Sequence, residues 1–227
     1  MLTLKENLVQ IAGVIDDLEA DLLQQCGVRY LGFPLRLTVH REDLSEEQAT
    51  RIIRRLQPPV FGVVITYLRE AREIAELCAS MGARIVQLHA DIPIDEVARL
   101  RGLSPELLII KSLVVGLYSE SALQSMIDAY SRNVDAFITD TYNPDTGASG
   151  ATGRTHDWRI SRRLVQISRR PVILAGGLNP ENVRRAIIEV KPFGVDSHTG
   201  VEDDSGRKCR EKVEKFLAEA RLGFQLM

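Results

Sequence analysis

The sequence predicts an α/β protein, a (β/α)8 TIM barrel. Short β-branched runs alternate with longer segments of helical spacing along the whole chain. Eight such strand–helix units fit into 227 residues, the arithmetic of a compact barrel. Most of the runs are apolar nearly throughout, as parallel strands covered on both faces are. An open, doubly wound sheet is the alternative, because periodicity alone carries no information on closure.

The first strand is LVQIAGV (8–14), followed by helical spacing over 17–26 and by Gly27 in the place of a C′ glycine. VRYLGF (28–33) is the second strand, and Ser45-Glu-Glu-Gln reads as a capping box opening a helix over 45–56. VFGVVIT (60–66) with 69–81, closed by Gly82, makes the third unit; RIVQLHA (84–90) with 94–101 makes the fourth. ELLIIKSL (106–113) with 119–131 and DAFITD (135–140) with 158–168 follow. PVILAGG (171–177) leads to Asn179-Pro180, read as an N-cap and first-turn proline of a helix over 180–190. FGVDSHT (193–199) and a helix over 208–222 complete the set. No linker, low-complexity stretch or charge block interrupts the alternation, so residues 1–227 are read as one barrel domain. Its core is expected at Ile11, Leu31, Val63, Val86, Ile109, Phe137, Ile173 and Val195 or their immediate neighbours, since alternation leaves the inward residue uncertain by one.

Composition narrows the function classes. Hydrophobic residues make up 44% and charged residues 26%, the mix of an ordinary soluble globular protein. With 29 Lys+Arg against 31 Asp+Glu the formal net charge is −2, which offers no electrostatic footprint for nucleic acid or an anionic membrane. No run approaches the length of a membrane span, and the start, MLTLKENLVQIAGV, does not read as a signal peptide. Three widely spaced cysteines argue against a disulfide framework or a zinc cluster and suit the cytoplasm. The expected partner is a phosphorylated small-molecule substrate, for a chain that is a monomer or a homodimer.

In a barrel the functional groups sit where strands end and βα loops begin. After the seventh strand, Gly176-Gly177 and Asn179-Pro180 combine close backbone approach with a helix N-terminus. The eighth strand ends in Asp196, Ser197, His198, Thr199 and Gly200. Together these two loops predict a phosphate site; tight turning is the plainer use of the glycines. Asp140 ends the sixth strand, where an acid points into the pocket mouth and burial raises its pKa, or where it simply caps the long Gly/Thr-rich loop that follows. Lys111 lies in the fifth strand, as a Schiff-base lysine or, preferably, a structural ammonium beside a carboxylate. His89 closes the fourth strand, to touch substrate or to support a group that does. Arg36, His40 and Arg41 follow the second strand and offer a clamp for carboxylate or phosphate, or a solvated basic loop. His156 and Trp158 read as packing.

QLHA after the fourth strand, then DT…GATGRTHDW, LAGGLNPENV and VDSHTGVEDDSGRK, resemble in order and spacing the phosphoribosylanthranilate isomerase family. The family patterns are approximately QLHG, D…GGtGktFDW, LAGGLnpeNV and VDvSSGVE…GkKD. The resemblance runs from about residue 8 to 220 and is most specific in the second half. It implies a (β/α)8 barrel that opens the ribose of N-(5-phosphoribosyl)anthranilate by an Amadori rearrangement in tryptophan biosynthesis, without cofactor or metal. It carries the general acid onto Asp140, phosphate contacts onto Gly176, Gly177, His198, Thr199 and Gly200, and the anthranilate carboxylate onto Arg36 or Arg41.

The departures are specific. VQIAGV stands where the family has vKICGi, so Ala12 occupies the place of the Cys that acts as general base and Gln10 that of a Lys. A methyl group accepts no proton, and losing a general base costs about 10²–10⁴-fold in rate. QLHA replaces QLHG, His156 a Phe, and His198-Thr199 a Ser-Ser pair. Substitute bases are His40 first, whose loop is expected over the mouth, then Asp16 or a water. Three functions follow: an isomerase with a substituted base, a sister enzyme acting on another phosphorylated metabolite, and a non-catalytic phosphometabolite-binding barrel.

Overall fold

The computed structural model describes residues 2–37, 44–143, 148–149, 153 and 155–227. The elements run β1 (Leu8–Ala12), α1 (Asp17–Cys26), β2 (Tyr30–Leu35), α2 (Glu46–Arg55), β3 (Phe61–Thr66), α3 (Ala71–Met81), β4 (Ile85–Leu88) and α4 (Ile94–Leu103). They continue with β5 (Leu108–Val115), α5 (Glu120–Tyr130), β6 (Ala136–Asn143), β7 (Ala148–Ser149), α6 (Trp158–Ile167), β8 (Val172–Leu174), α7 (Val183–Val190), β9 (Gly194–Ser197) and α8 (Arg210–Gln225). Around the sheet the order is β5-β4-β3-β2-β1-β9-β8-β6, and β6 pairs back onto β5. Among the described residues, eight parallel strands therefore close into a barrel, and the open sheet is excluded. The two-residue β7 is an addition, pairing antiparallel with the end of β6.

Local chemistry accounts for the helix ends. Ser45 and Gln48 form the expected capping box of α2, and Asp16, Ser119 and Asp157 cap α1, α5 and α6 with their side chains. Each such cap contributes about 1 kcal/mol. Gly27 and Gly82 close α1 and α3 by donating their N–H groups to carbonyls of the last turn. One boundary differs from expectation. Asn179 caps a short turn, accepting from the Glu181 and Asn182 amides, and α7 begins only at Val183.

Side-chain alternation sorts the strands into two cores. Leu8, Ala12, Tyr30, Val63, Ile65, Ile85, Leu108, Ile110, Ala136, Ile138, Ile173 and Ala175 form the cluster inside the barrel. The intervening residues pack outward with the helices in a larger cluster. All eight expected core residues are buried, but only Val63 and Ile173 point inward. Ile11, Leu31, Val86, Ile109, Phe137 and Val195 belong to the outer cluster, and their neighbours fill the interior. With both faces of a strand buried, hydrophobicity carries no parity signal.

Candidate active site

Several inward positions toward the C-terminal ends of the strands are polar, set among apolar neighbours such as Ala12, Ile65 and Ala175. Gln10 on β1 donates from Nε2 to Gln87 Oε1 on β4 at 3.0 Å, across the barrel. Ser112 on β5, Asp140 on β6 and Asp196 on β9 lie on the same inward faces by alternation.

Asp140 sits where the sequence places it, at the barrel mouth with its side chain 13% exposed. Its Oδ1 accepts the Thr141 N–H at 2.8 Å, and its Oδ2 lies 3.9 Å from His89 Nδ1. Burial pushes its carboxyl up to about 7, and the Thr141 amide offsets part of that. Asp196 is raised to about 7 as well, first by burial and then by the charge of Asp140, with Gln10 and Lys208 opposing. Its Oδ1 is buried without a hydrogen-bond partner among the described residues, as is Gln10 Oε1. Two coupled carboxyls of this kind resist ionising together, so the pair retains a proton toward neutral pH. The sequence places Asp196 beside the last loop but assigns it no role; its parity with His198 on one strand was the available signal.

His89 is buried beside Asp140. Its Nδ1 lies 3.2 Å from Ser112 Oγ, and its ring packs against Tyr67 at 4.8 Å between centroids, tilted by 42°. Arg36, in a left-handed conformation just past β2, points its guanidinium at Glu46 on α2, with Nε 2.7 Å from Oε1. His40 and Arg41 lie outside the described residues. Asp16 is not available as a base: its oxygens cap Glu19 and pair with Arg207, which together hold its carboxyl below the ordinary range although burial opposes them. His156 is structural, bonded to Thr141 Oγ1 and Ser161 Oγ through its two ring nitrogens, and burial pulls it down to about 4.

Lys111 faces the helices and not the mouth. Its Nζ donates to the carbonyls of Leu88, Ala90 and Ser112, and burial lowers it to about 8 despite the charge of Asp91. A buried amine enclosed by carbonyls has no access to a carbonyl substrate, which excludes the Schiff-base reading.

The last loops converge. Gly176 and Gly177 both have positive φ, 100° and 63°. A Cβ at Gly176 would meet Thr141 Oγ1 at 2.1 Å, so no other residue fits against that hydroxyl. Asn182 Nδ2 donates to the Gly177 carbonyl, and Ser197 Oγ donates to the Leu178 carbonyl. A Cβ at Gly200 would strike that same carbonyl at 1.9 Å, and one at Gly153 would come within 3.7 Å of Thr199 Oγ1. Segments following β6, β8 and β9 thus meet around Gly177 and Thr199. His198 belongs to the same loop, but its ring turns toward β1, where a Cβ at Gly13 would lie 2.0 Å from Nε2.

A closed (β/α)8 barrel with two coupled carboxyls at its mouth and glycine-rich loops beside them defines the class. A sequence model described as N-(5'-phosphoribosyl)anthranilate (PRA) isomerase matches residues 10–219, and the chain belongs to that family. It is similar to N-(5'-phosphoribosyl)anthranilate isomerase 2 of Methanosarcina mazei, at 36% identity over 95% of either chain. Among solved structures it is similar to phosphoribosyl anthranilate isomerase from Thermotoga maritima, with a TM-score of 0.79 and 31% identity over 95% of this chain and 98% of that one. It also matches such an isomerase in complex with reduced 1-(o-carboxyphenylamino)-1-deoxyribulose 5-phosphate, with a TM-score of 0.77 and 28% identity over the same shares.

Proposed function

We propose that this chain isomerises N-(5'-phosphoribosyl)anthranilate to the corresponding 1-amino-1-deoxyribulose phosphate, an Amadori-type step of tryptophan biosynthesis. One observation carries the reading: Asp140, a strand-end carboxyl held protonated toward neutral pH at the mouth of a barrel of this family. A proton on Asp140 suits it to protonate the ribose ring oxygen as general acid. His89 contacts the opened sugar beside it. The backbone groups of Gly176, Gly177, His198, Thr199 and Gly200 receive the phosphate between Gly177 and Thr199. Arg36 binds the anthranilate carboxylate by exchanging its exposed partner Glu46, with Arg41 as the second cation of that loop. The chemistry needs no cofactor or metal, since ring opening and tautomerisation move protons alone. The whole chain, 1–227, acts as one barrel domain. The reading serves a monomer and a homodimer alike, because the strand ends of one chain supply the groups named. Three free cysteines, and no helix among the described residues long and apolar enough to cross a membrane, suit work in the cytoplasm.

The test is to incubate the pure protein with N-(5'-phosphoribosyl)anthranilate and follow loss of the substrate's fluorescence. Turnover abolished by Asp140→Asn supports the reading. Silence at saturating substrate, with a phosphorylated ligand still displaced by Gly177→Val, would favour a sister enzyme acting on another phosphorylated metabolite.

A further inference from the structure

The Thr141 amide holds one oxygen of Asp140, so whatever holds Thr141 decides how the acid is presented. Along β6 the inward Ala136, Ile138 and Asp140 alternate with Phe137, Thr139 and Thr141, which face the helix layer. On one edge the peptide joining residues 140 and 141 is held by β5, whose Val114 and Val115 pair with Asp140 and Thr141. On the other edge the ladder to β8 stops at Ile138 and Ile173. Side chains take over beyond that rung. Thr139 Oγ1 accepts the Ala175 N–H at 3.2 Å, and Thr141 Oγ1 lies 2.8 Å from His156 Nδ1.

His156 is itself anchored. Its Nε2 is hydrogen-bonded to the hydroxyl of Ser161, a fully buried residue of α6. A neutral imidazole has one donor and one acceptor nitrogen, and both are filled here. With the ring lowered to about 4 and Asp140 raised to about 7, the imidazole stays neutral throughout the titration of the acid. The hydroxyl of Thr141 also lies against the loop after β8. A Cβ at Gly176 would come within 2.1 Å of Thr141 Oγ1 and 3.1 Å of His156 Nδ1, so glycine there leaves the space in which this bond forms. The family pattern has a Phe where His156 stands, and a phenyl ring offers neither bond.

Resting on the isomerisation proposed above, we propose that His156 is a positioning residue for it, fixing Thr141 so that its amide stays on Oδ1 of Asp140 and Oδ2 is presented to the substrate. An N–H at a carboxyl oxygen favours the charged form, so losing it lets Asp140 keep its proton to higher pH. Among the described residues, the titratable groups that face Asp140 are His89 after β4 and Asp196 on β9, with Lys208 acting on Asp196. The inward faces of β5 and β8 add none, since Lys111 points at the helices. None of these groups changes in the variants below, so a displaced titration of Asp140 reports the Thr141 link.

The experiment compares wild type with His156→Phe, His156→Gln, His156→Asn and Thr141→Val on N-(5'-phosphoribosyl)anthranilate. An Asn amide reaches the place of Nδ1 and keeps the bond to Thr141, whereas a Gln amide reaches that of Nε2 and keeps only the bond to Ser161. His156→Phe, His156→Gln and Thr141→Val should lose about 10–100-fold in kcat, the cost of a misplaced reacting group. Their KM should stay within about threefold. Their fall in activity with rising pH should move up by about half a pH unit or more. His156→Asn should recover kcat to within about threefold of wild type and restore the pH profile. The same displacement is read without substrate from the ¹³C shift of the Asp140 carboxyl, assigned by its absence in Asp140→Asn. If His156→Phe fails to fold, Thr141→Val, a change of one hydroxyl to a methyl, decides in its place. Retained kcat and an Asp140 carboxyl that titrates as in wild type overturn the inference. So do equal losses in the Asn and Gln variants that follow their urea unfolding, or a loss confined to KM, which assigns the link to the phosphate loop. A wild type silent on this substrate overturns the reaction, while the carboxyl titration still decides whether His156 governs Asp140.

Discussion

Lys111 and the pair Asp140–Asp196 are buried charges on opposite faces of one barrel wall. Lys111 looks outward into the helix layer, where three carbonyls accept from its three-donor ammonium and the Tyr130 ring centre lies 5.8 Å away. Asp140 looks inward and accepts the Thr141 backbone N–H, while Asp196 leaves Oδ1 without a partner among the described residues. Burial acts on both, pulling the amine down to about 8 and pushing the carboxyls up to about 7. The difference is in what surrounds them. A buried charge with its hydrogen-bonding capacity filled fastens the fold, whereas one left unfilled at a mouth is open to a ligand or a proton.

Asp140→Asn tests the inward side of this contrast most severely. Turnover should fall by about 10²–10⁴-fold, with affinity for reduced 1-(o-carboxyphenylamino)-1-deoxyribulose 5-phosphate retained; equal losses in both would make Asp140 a binding group. Lys111→Met tests the outward side. It strands three buried carbonyls and should cost about 2–4 kcal/mol in urea unfolding. Its kcat should change by less than about threefold, and a larger catalytic loss would erase the contrast.

Titration sharpens the comparison further. A carboxyl raised in the folded state binds its proton more tightly there than in the unfolded chain, so its contribution to stability declines as pH rises from about 4 through about 7. Wild type should therefore lose on the order of 1–3 kcal/mol relative to Asp140→Asn between pH 5 and 7.5, read from paired unfolding curves. Activity that needs the acid form should fall as pH rises through the same range. The smallest effect belongs to Arg36→Ala. Its partner Glu46 is exposed, so stability should shift by less than about 1 kcal/mol. KM for the anthranilate-bearing substrate should nonetheless rise about tenfold with kcat kept. An unchanged KM would move the carboxylate contact to Arg41.

Where local chemistry decides structure, the chain could be read residue by residue. The strands and helices fall within a few residues of their sequence positions because each boundary carries its own signal: Gly27, Gly82, the Ser45 capping box. Asp140, Gly176 and Gly177 were legible for a similar reason, since a strand end in a barrel fixes which way an acid or a glycine loop faces. Asn179-Pro180 misled by one turn, because the Asn179 side chain caps a tight turn as readily as a helix.

The sequence alone determined the alternation of eight units, the family resemblance and the methyl of Ala12 at the place where that resemblance implies a base. Ring closure was decided by tertiary structure, since it depends on β5 meeting β6 as well as β4, which no local pattern encodes. So was the inward parity of strands that are apolar on both faces, and with it the outward place of Lys111. The pairing of Asp196 with Asp140, and the lean of His198 over Gly13, arise between strands far apart in sequence. Their chemistry is set by distance and burial, and neither exists until the barrel closes.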